Sequence, residues 1–124
     1  MVIPQAVRDA IAAHANEEKP NEACGLIALR DGVAEQYLPA RNAAASPYRF
    51  ELDADPQVWM DLWDDGYEIA IFHSHLTSPP RPSRTDVENI GQWDGAPYVI
   101  YTVSSGEFGA WRIVGRTIQE EPLS

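Results

Sequence analysis

Two histidines one residue apart, His73 and His75, close the apolar run "YEIAIFHSH", and a proline-rich loop after them leads to Ser83 and Asp86. In a strand, side chains at i and i+2 share a face and lie roughly 6–7 Å apart along the chain. Both imidazoles can therefore converge on one metal ion, with Zn–N bonds of about 2.0–2.1 Å. A catalytic zinc takes three protein ligands and keeps a fourth position open. Asp86 is the candidate third ligand, because it falls in the first turn of the next helix after a loop long enough to fold back over the strand end. Pro79, Pro80 and Pro82 stiffen that loop and lower the entropy lost in holding Asp86 against the histidines. The segment Ser83-Arg84-Thr85-Asp86 also reads as a capping box with Ser83 as N-cap. The two roles compete, since a metal-bound carboxylate is less free to close the box. His-x-His alone is a weak signal, and a lone strand-end histidine is usually structural or solvated.

The surrounding elements must hold these groups. "IPQAVRDAIAAHANEE" places Ile3, Val7, Ala10, Ile11 and His14 at helical spacing, with Pro4 suited to a first turn. "EACGLIALR" is a short apolar run read as a buried strand. Asp31-Gly32 marks a tight hairpin returning through "VAEQYLP". "RNAAASP" reads as a loop and "YRFEL" as a strand. "DADPQVWMDLWDDG" reads as a helix with an aspartate cap, an early Pro56, Val58, Leu62, Trp59 and Trp63 at helical offsets, and Gly66 closing it. After "YEIAIFHSH", "SRTDVENIGQW" reads as a short helix. "PYVIYTVSS" and "GAWRIVGRTI" close the chain as two strands joined around Ser105-Gly106. This mixed order predicts an α/β fold of the α+β type, a mixed sheet flanked by helices.

The bulk composition narrows the function. A chain of 124 residues fits a single domain over 1–124, and such a domain buries roughly two-thirds of its unfolded surface. A net charge of −10 with a single lysine, Lys19, argues against nucleic acid and against anionic lipid surfaces. No run is long enough to span a membrane. The N-terminus lacks a basic region followed by an apolar one, so a cytoplasmic setting is expected. The lone Cys24 excludes an internal disulfide framework and a cysteine-rich zinc site. Nothing resembles a glycine-rich phosphate loop.

One pattern joins distant residues. Glu22 opens the first strand in "NEACGLIAL"; far downstream come His73-Ser74-His75, seven residues, Ser83, two residues and Asp86. This resembles the JAMM motif of the MPN-domain family of zinc metalloproteases, over nearly the whole chain. The family often has proline directly after the second histidine, where this chain has Leu76; that position supplies no ligand. The resemblance implies an MPN/JAMM-like, cytidine-deaminase-like architecture and one Zn²⁺ per chain held by His73, His75 and Asp86. It implies Glu22 as general base and acid, and Ser83 as donor to the tetrahedral oxyanion. Ser74 should face away from the metal. An N₂O ligand set could also accept other divalent ions in vitro.

The family's small stand-alone prokaryotic members imply a substrate: the C-terminal Gly-Gly tail of a small ubiquitin-like or sulfur-carrier protein, cut at or after that tail. An alternative is an isopeptidase removing such a modifier from lysines. A third reading is a metal-free MPN scaffold, which the complete ligand set disfavours. Cys24 shares the face of Glu22 and could be an extra or inhibitory ligand, but a small buried hydrophobe is the preferred reading. His14 is expected to be packed or half-exposed. The tryptophans, Tyr98 and Tyr101 are expected in the core and sheet. Ser104 and Ser105 could grip a substrate tail, and the final strand could pair across a homodimer or finish the sheet internally.

Overall fold

A computed structural model describes all 124 residues, Met1–Ser124. The elements are α1 (Gln5–Glu18), β1 (Cys24–Arg30), β2 (Val33–Asn42), β3 (Leu52–Asp53), α2 (Pro56–Asp64), β4 (Glu68–His75), α3 (Arg84–Glu88), a 3₁₀ turn (Gly91–Trp93), β5 (Pro97–Thr102), β6 (Glu107–Val114) and β7 (Thr117–Glu120). The strands form one mixed sheet in the order β3-β2-β1-β4-β5-β6-β7, with only β4 and β5 parallel. A parallel pair needs a crossover, and the segment from Leu76 to Ala96 supplies it, carrying α3.

Period-two alternation divides the core into two layers. On one face Ile3, Val7, Ile11 and Ala15 pack with Ile27, Leu29, Ala70, Phe72, Val99 and Tyr101. On the other, Leu62 packs with Leu26, Ala28, Ile69, Ile71, Tyr98, Ile100 and Ile113, with Trp59, Val87 and Trp93 partly buried against them. Strand β4 is covered on both faces, hence its unbroken apolar sequence. Each fully buried large side chain, such as Phe72 or Ile71, contributes about 1.5–3 kcal/mol relative to exposure. His73 and His75 continue the face of Ile69 and Ile71, at the end of the best-buried strand. No helix is long and apolar enough to cross a membrane.

Several local expectations change. Ala10 is exposed, and Ala15 takes its place in the buried stripe of α1. In α2, Asp55 caps by accepting the Gln57 amide at 2.9 Å, as its sequence suggests, but only Leu62 is fully buried; Val58 and Trp63 face solvent. Strand β2 runs on to Asn42 into the expected loop, whereas "YRFEL" yields only Leu52–Asp53. The cause is Asn42, whose side chain takes up backbone groups of residues 44–51 that would otherwise join a ladder. The expected helix over 83–93 stops at Glu88 and resumes as a 3₁₀ turn, broken where Gly91 takes a positive φ of 54°. "GAWRIVGRTI" is two strands, not one. It folds at Gly115 and Arg116, both with positive φ (54° and 70°), the geometry of a two-residue hairpin. The Asp31-Gly32 hairpin has the expected signs of φ, 52° and 77°. Strand β7 thus pairs with β6 and ends the sheet.

Candidate metal centre

The end of β4, the first turn of α3 and Glu22, two residues before β1, meet in one place. His73 Nε2 and His75 Nε2 are 3.1 Å apart. Asp86 Oδ2 lies 3.2 Å from the first and 3.1 Å from the second. The three atoms form a nearly equilateral triangle. Donors bound at about 2.0–2.1 Å in a tetrahedral site stand about 3.3–3.4 Å apart, so the triangle fits such an ion with a slight opening. Hydrogen bonds alone serve this arrangement poorly, because a proton on one edge leaves lone pairs facing each other on another. The donor set, two imidazoles and a carboxylate, suits zinc.

Each ligand candidate is held from behind. His75 Nδ1 is 2.8 Å from the Pro79 carbonyl, so it donates there and turns its Nε2 lone pair inward. His73 is fully buried, stacked on Phe50 (4.5 Å, 16°) and edge-on to Tyr98 (5.3 Å). Its Nδ1 is buried without a hydrogen-bond partner. Burial lowers the His73 pKa against the pull of Asp86. Burial also works against the His75 cation, but Asp86 and the Pro79 carbonyl outweigh it and raise its pKa.

Asp86 sits at the third position of α3, and the capping box is complete. Ser83 N donates to Asp86 Oδ2 at 2.8 Å, and Asp86 N donates to Ser83 Oγ at 3.1 Å. Capping and convergence on the histidines therefore meet on one carboxylate oxygen. Burial opposes ionisation of Asp86, yet the two imidazoles and the Ser83 amide hold it well below the usual carboxylate range. Ser83 Oγ accepts from the helix, which leaves its hydrogen free to donate towards the cleft.

Glu22 is 3% exposed, with Oε1 3.9 Å from His73 Nε2 and without a hydrogen-bond partner. Burial, then the Asp86 charge, pushes its pKa up to about 8, against a lowering by His75. Glu22, His73 and His75 also offer donor atoms within 4.8 Å of one another. Two triads thus share the histidines. Asp86, at 3.1–3.2 Å from both, makes the tighter one, and Glu22 stands one step further out. A cleft of about 520 Å³ opens over them, lined by Glu22, Pro47, Tyr48, His75, Leu76, Thr77, Ser78, Ser83 and Thr85.

The other residues singled out in the sequence are placed elsewhere. Cys24 is fully buried, its thiol reaches the Arg41 carbonyl at 3.5 Å, and burial pushes its pKa up to about 12. It is not among the convergent donors. Ser74 faces away, as expected. His14 is partly buried against the Tyr37 hydroxyl at 2.6 Å. Ser104 lines a second cleft of about 350 Å³ with Lys19, which shares Leu76 and Thr77 with the first, and Ser105 Oγ accepts the Glu107 amide within its own turn.

Several supporting residues carry no motif. Ser74 Oγ accepts the Ala23 amide at 2.8 Å and ties the start of β1 to β4. Thr102 Oγ1 donates to Ser78 O, and Trp111 Nε1 donates to Pro80 O, both at 2.7 Å. The Pro80 carbonyl occupies the space where a Cβ on Gly109 would stand. The proline loop is therefore fastened to β5 and β6 as well as stiff. Only the buried serine between two histidines offered a signal in the sequence; the others act across long separations.

Comparison with known proteins gives a family and a fold. A model of the family described as prokaryotic homologues of the JAB domain matches residues 4–114. The chain is 36% identical over 132 aligned positions to the CysO-cysteine peptidase of Mycobacterium tuberculosis, covering 100% of this chain and 90% of that protein. It is 34% identical over 106 positions to a Thermus thermophilus protein named "Probable TtuB-protein conjugate cleaving protease", covering 82% of this chain and 69% of the other. A JAB1/MPN domain protein from Archaeoglobus fulgidus has the same fold, with a TM-score of 0.64 at 17% identity over 100% of this chain and 97% of that one.

Proposed function

The chain belongs to the family of prokaryotic homologues of the JAB domain and is a hydrolase, and from that premise we propose a zinc-dependent peptidase. It hydrolyses an amide bond at or after the C-terminal Gly-Gly tail of a small ubiquitin-like or sulfur-carrier protein. The observation that carries this reading is the 3.1–3.2 Å triangle of His73, His75 and Asp86 with the buried, unpartnered Glu22 carboxyl beside it. His73, His75 and Asp86 would hold the ion. When bound, zinc supplies Lewis acidity and makes water acidic near neutral pH.

Glu22 accepts the proton of the attacking water and returns it to the leaving nitrogen, so the carbonyl carbon gains an oxygen as the C–N bond breaks. A carboxyl placed beside the ion, with no partner of its own on Oε1, can serve both directions of that transfer. Ser83 donates its free hydroxyl hydrogen to the oxyanion that develops on the carbonyl oxygen. Leu76 and Tyr48 line the cleft in which the tail would lie.

The name of the mycobacterial relative points to an amino acid as the leaving group; that of the Thermus relative points to a protein conjugate and favours the isopeptidase reading second. The test uses a sulfur-carrier-like protein ending in Gly-Gly, once extended by a single cysteine and once joined to a lysine side chain. Mass spectrometry should show release of cysteine by wild type and none by Glu22→Gln. Cleavage of the lysine-linked form alone would transfer the assignment to the second reading, and cleavage of neither would remove the peptidase.

A further inference from the structure

Asn42, the last residue of β2, uses all four of its side-chain hydrogen-bonding positions. Its Nδ2 donates to the Glu22 carbonyl at 2.9 Å and to the Arg49 carbonyl at 3.1 Å. Its Oδ1 accepts the amides of Ala44 and Glu51, each at 3.0 Å. A flipped amide would set like against like at all four contacts. The segment that Asn42 gathers up, residues 43–51, returns to the metal centre at two further points. Ser46 O accepts the Glu22 amide at 2.9 Å, and the Phe50 ring stacks on His73. Both backbone groups of Glu22 are therefore held by β2 and this loop, none by β1, which begins only at Cys24.

We propose that Asn42 is a positioning residue for Glu22, acting through the Glu22 carbonyl directly and through the Ser46 carbonyl by way of the loop it closes. This rests on the reading of Glu22 as the proton-transfer group. The Glu22 carboxyl has no hydrogen-bond partner of its own, so its aim depends on its backbone. Asn42 is not among the residues lining the cleft, and its polar atoms are spent on backbone, which separates positioning from contact with substrate.

Asn42→Asp separates this role from loop integrity. It keeps acceptors for the Ala44 and Glu51 amides but loses both donated bonds and faces two carbonyls with a charge. Asn42→Ala removes all four contacts. The readouts are zinc content, amide hydrogen exchange at Glu22, Ala44 and Glu51, and kcat and KM on the cysteine-extended probe, measured well below the melting temperature. In Asn42→Asp, exchange should quicken at Glu22 more than at Ala44 and Glu51. Zinc should stay at the wild-type ratio, KM should hold within about twofold, and kcat should fall about 10- to 100-fold, as for supporting groups around a metal site. An Asn42→Asp protein with wild-type kcat would overturn the proposal. So would a loss of zinc and a loss of kcat in equal proportion, which would make Asn42 structural. Wild type inactive on every probe would remove the peptidase reading instead, and the exchange rates would still decide whether Asn42 holds Glu22.

Discussion

The oxygen of Asp86 that lies 3.1 Å from His75 Nε2 is the same oxygen that accepts the Ser83 amide at 2.8 Å. The start of α3 and the third corner of the donor triangle are one group. With only five residues, α3 has little stability of its own, so its first turn and the site form together.

Asp86→Ala should therefore fail twice. Elemental analysis should find the zinc ratio reduced from about one per chain to near zero, as in a His73→Ala, His75→Ala double variant. The Ser83 amide also loses its acceptor, which should destabilise the fold by about 1–3 kcal/mol. Full zinc occupancy in Asp86→Ala would assign the third corner to Glu22.

Ser83 has separable duties. Ser83→Ala should lose about 0.5–2 kcal/mol of stability as a missing cap and about 10²–10³ in kcat as a missing oxyanion donor. Ser83→Asp restores an acceptor for the Asp86 amide without supplying a hydrogen. Its thermal stability should recover while kcat stays low. Recovery of both would leave Ser83 a cap alone.

Glu22 carries a pH signature. Its carboxyl is raised from 4.5 to about 8 in the fold. Below pH 4.5 it is protonated in both folded and unfolded chains and contributes no difference. Between pH 4.5 and 8 the unfolded chain ionises it and the folded chain does not, so stability falls as pH rises; above about 8 the loss levels off. With metal removed by a chelator, urea unfolding of wild type and Glu22→Gln should diverge steadily from pH 5 to 8, in favour of the glutamine. Parallel curves would mean that Glu22 ionises freely in the fold.

Ser74 is fully buried and accepts the Ala23 amide. Ser74→Ala leaves that amide without its partner and should destabilise by about 1–3 kcal/mol. Denaturant midpoints should show the loss while zinc content stays unchanged.

Tyr48 is 82% exposed at the mouth of the cleft. Tyr48→Ala should leave stability within about 0.5 kcal/mol. Contact with a bound tail predicts a raised KM with kcat unchanged; an unchanged KM would remove Tyr48 from the binding surface.

What the sequence discloses follows the range of the interactions involved. His73 and His75 share a face because a strand repeats every two residues, and Asp31-Gly32 turns because both residue types tolerate a positive φ. Those are local rules. Arg116 also takes a positive φ of 70°, but arginine does not advertise it, and so the last hairpin is hidden. Asn42 looks like any loop asparagine until the fold brings Glu22 beside it, 20 residues away in sequence. Trp111 reaches Pro80 across 31 residues, and no short pattern records that bond. The donors of the site are legible, and so are the capping box and prolines beside Asp86; the residues that hold Glu22 and fasten the loop are not.

The fastening of the proline loop to β5 and β6 bears on transplantation. A designer who grafts Glu22, His73, His75, Ser83 and Asp86 onto another mixed sheet would copy the chemistry without its alignment. The smallest portable unit also includes a hydroxyl like that of Thr102, an indole like that of Trp111, and a bare backbone position like Gly109 on the neighbouring strands. Any host whose adjacent strand bears a side chain at that last point would push the loop, and Asp86 with it, out of register.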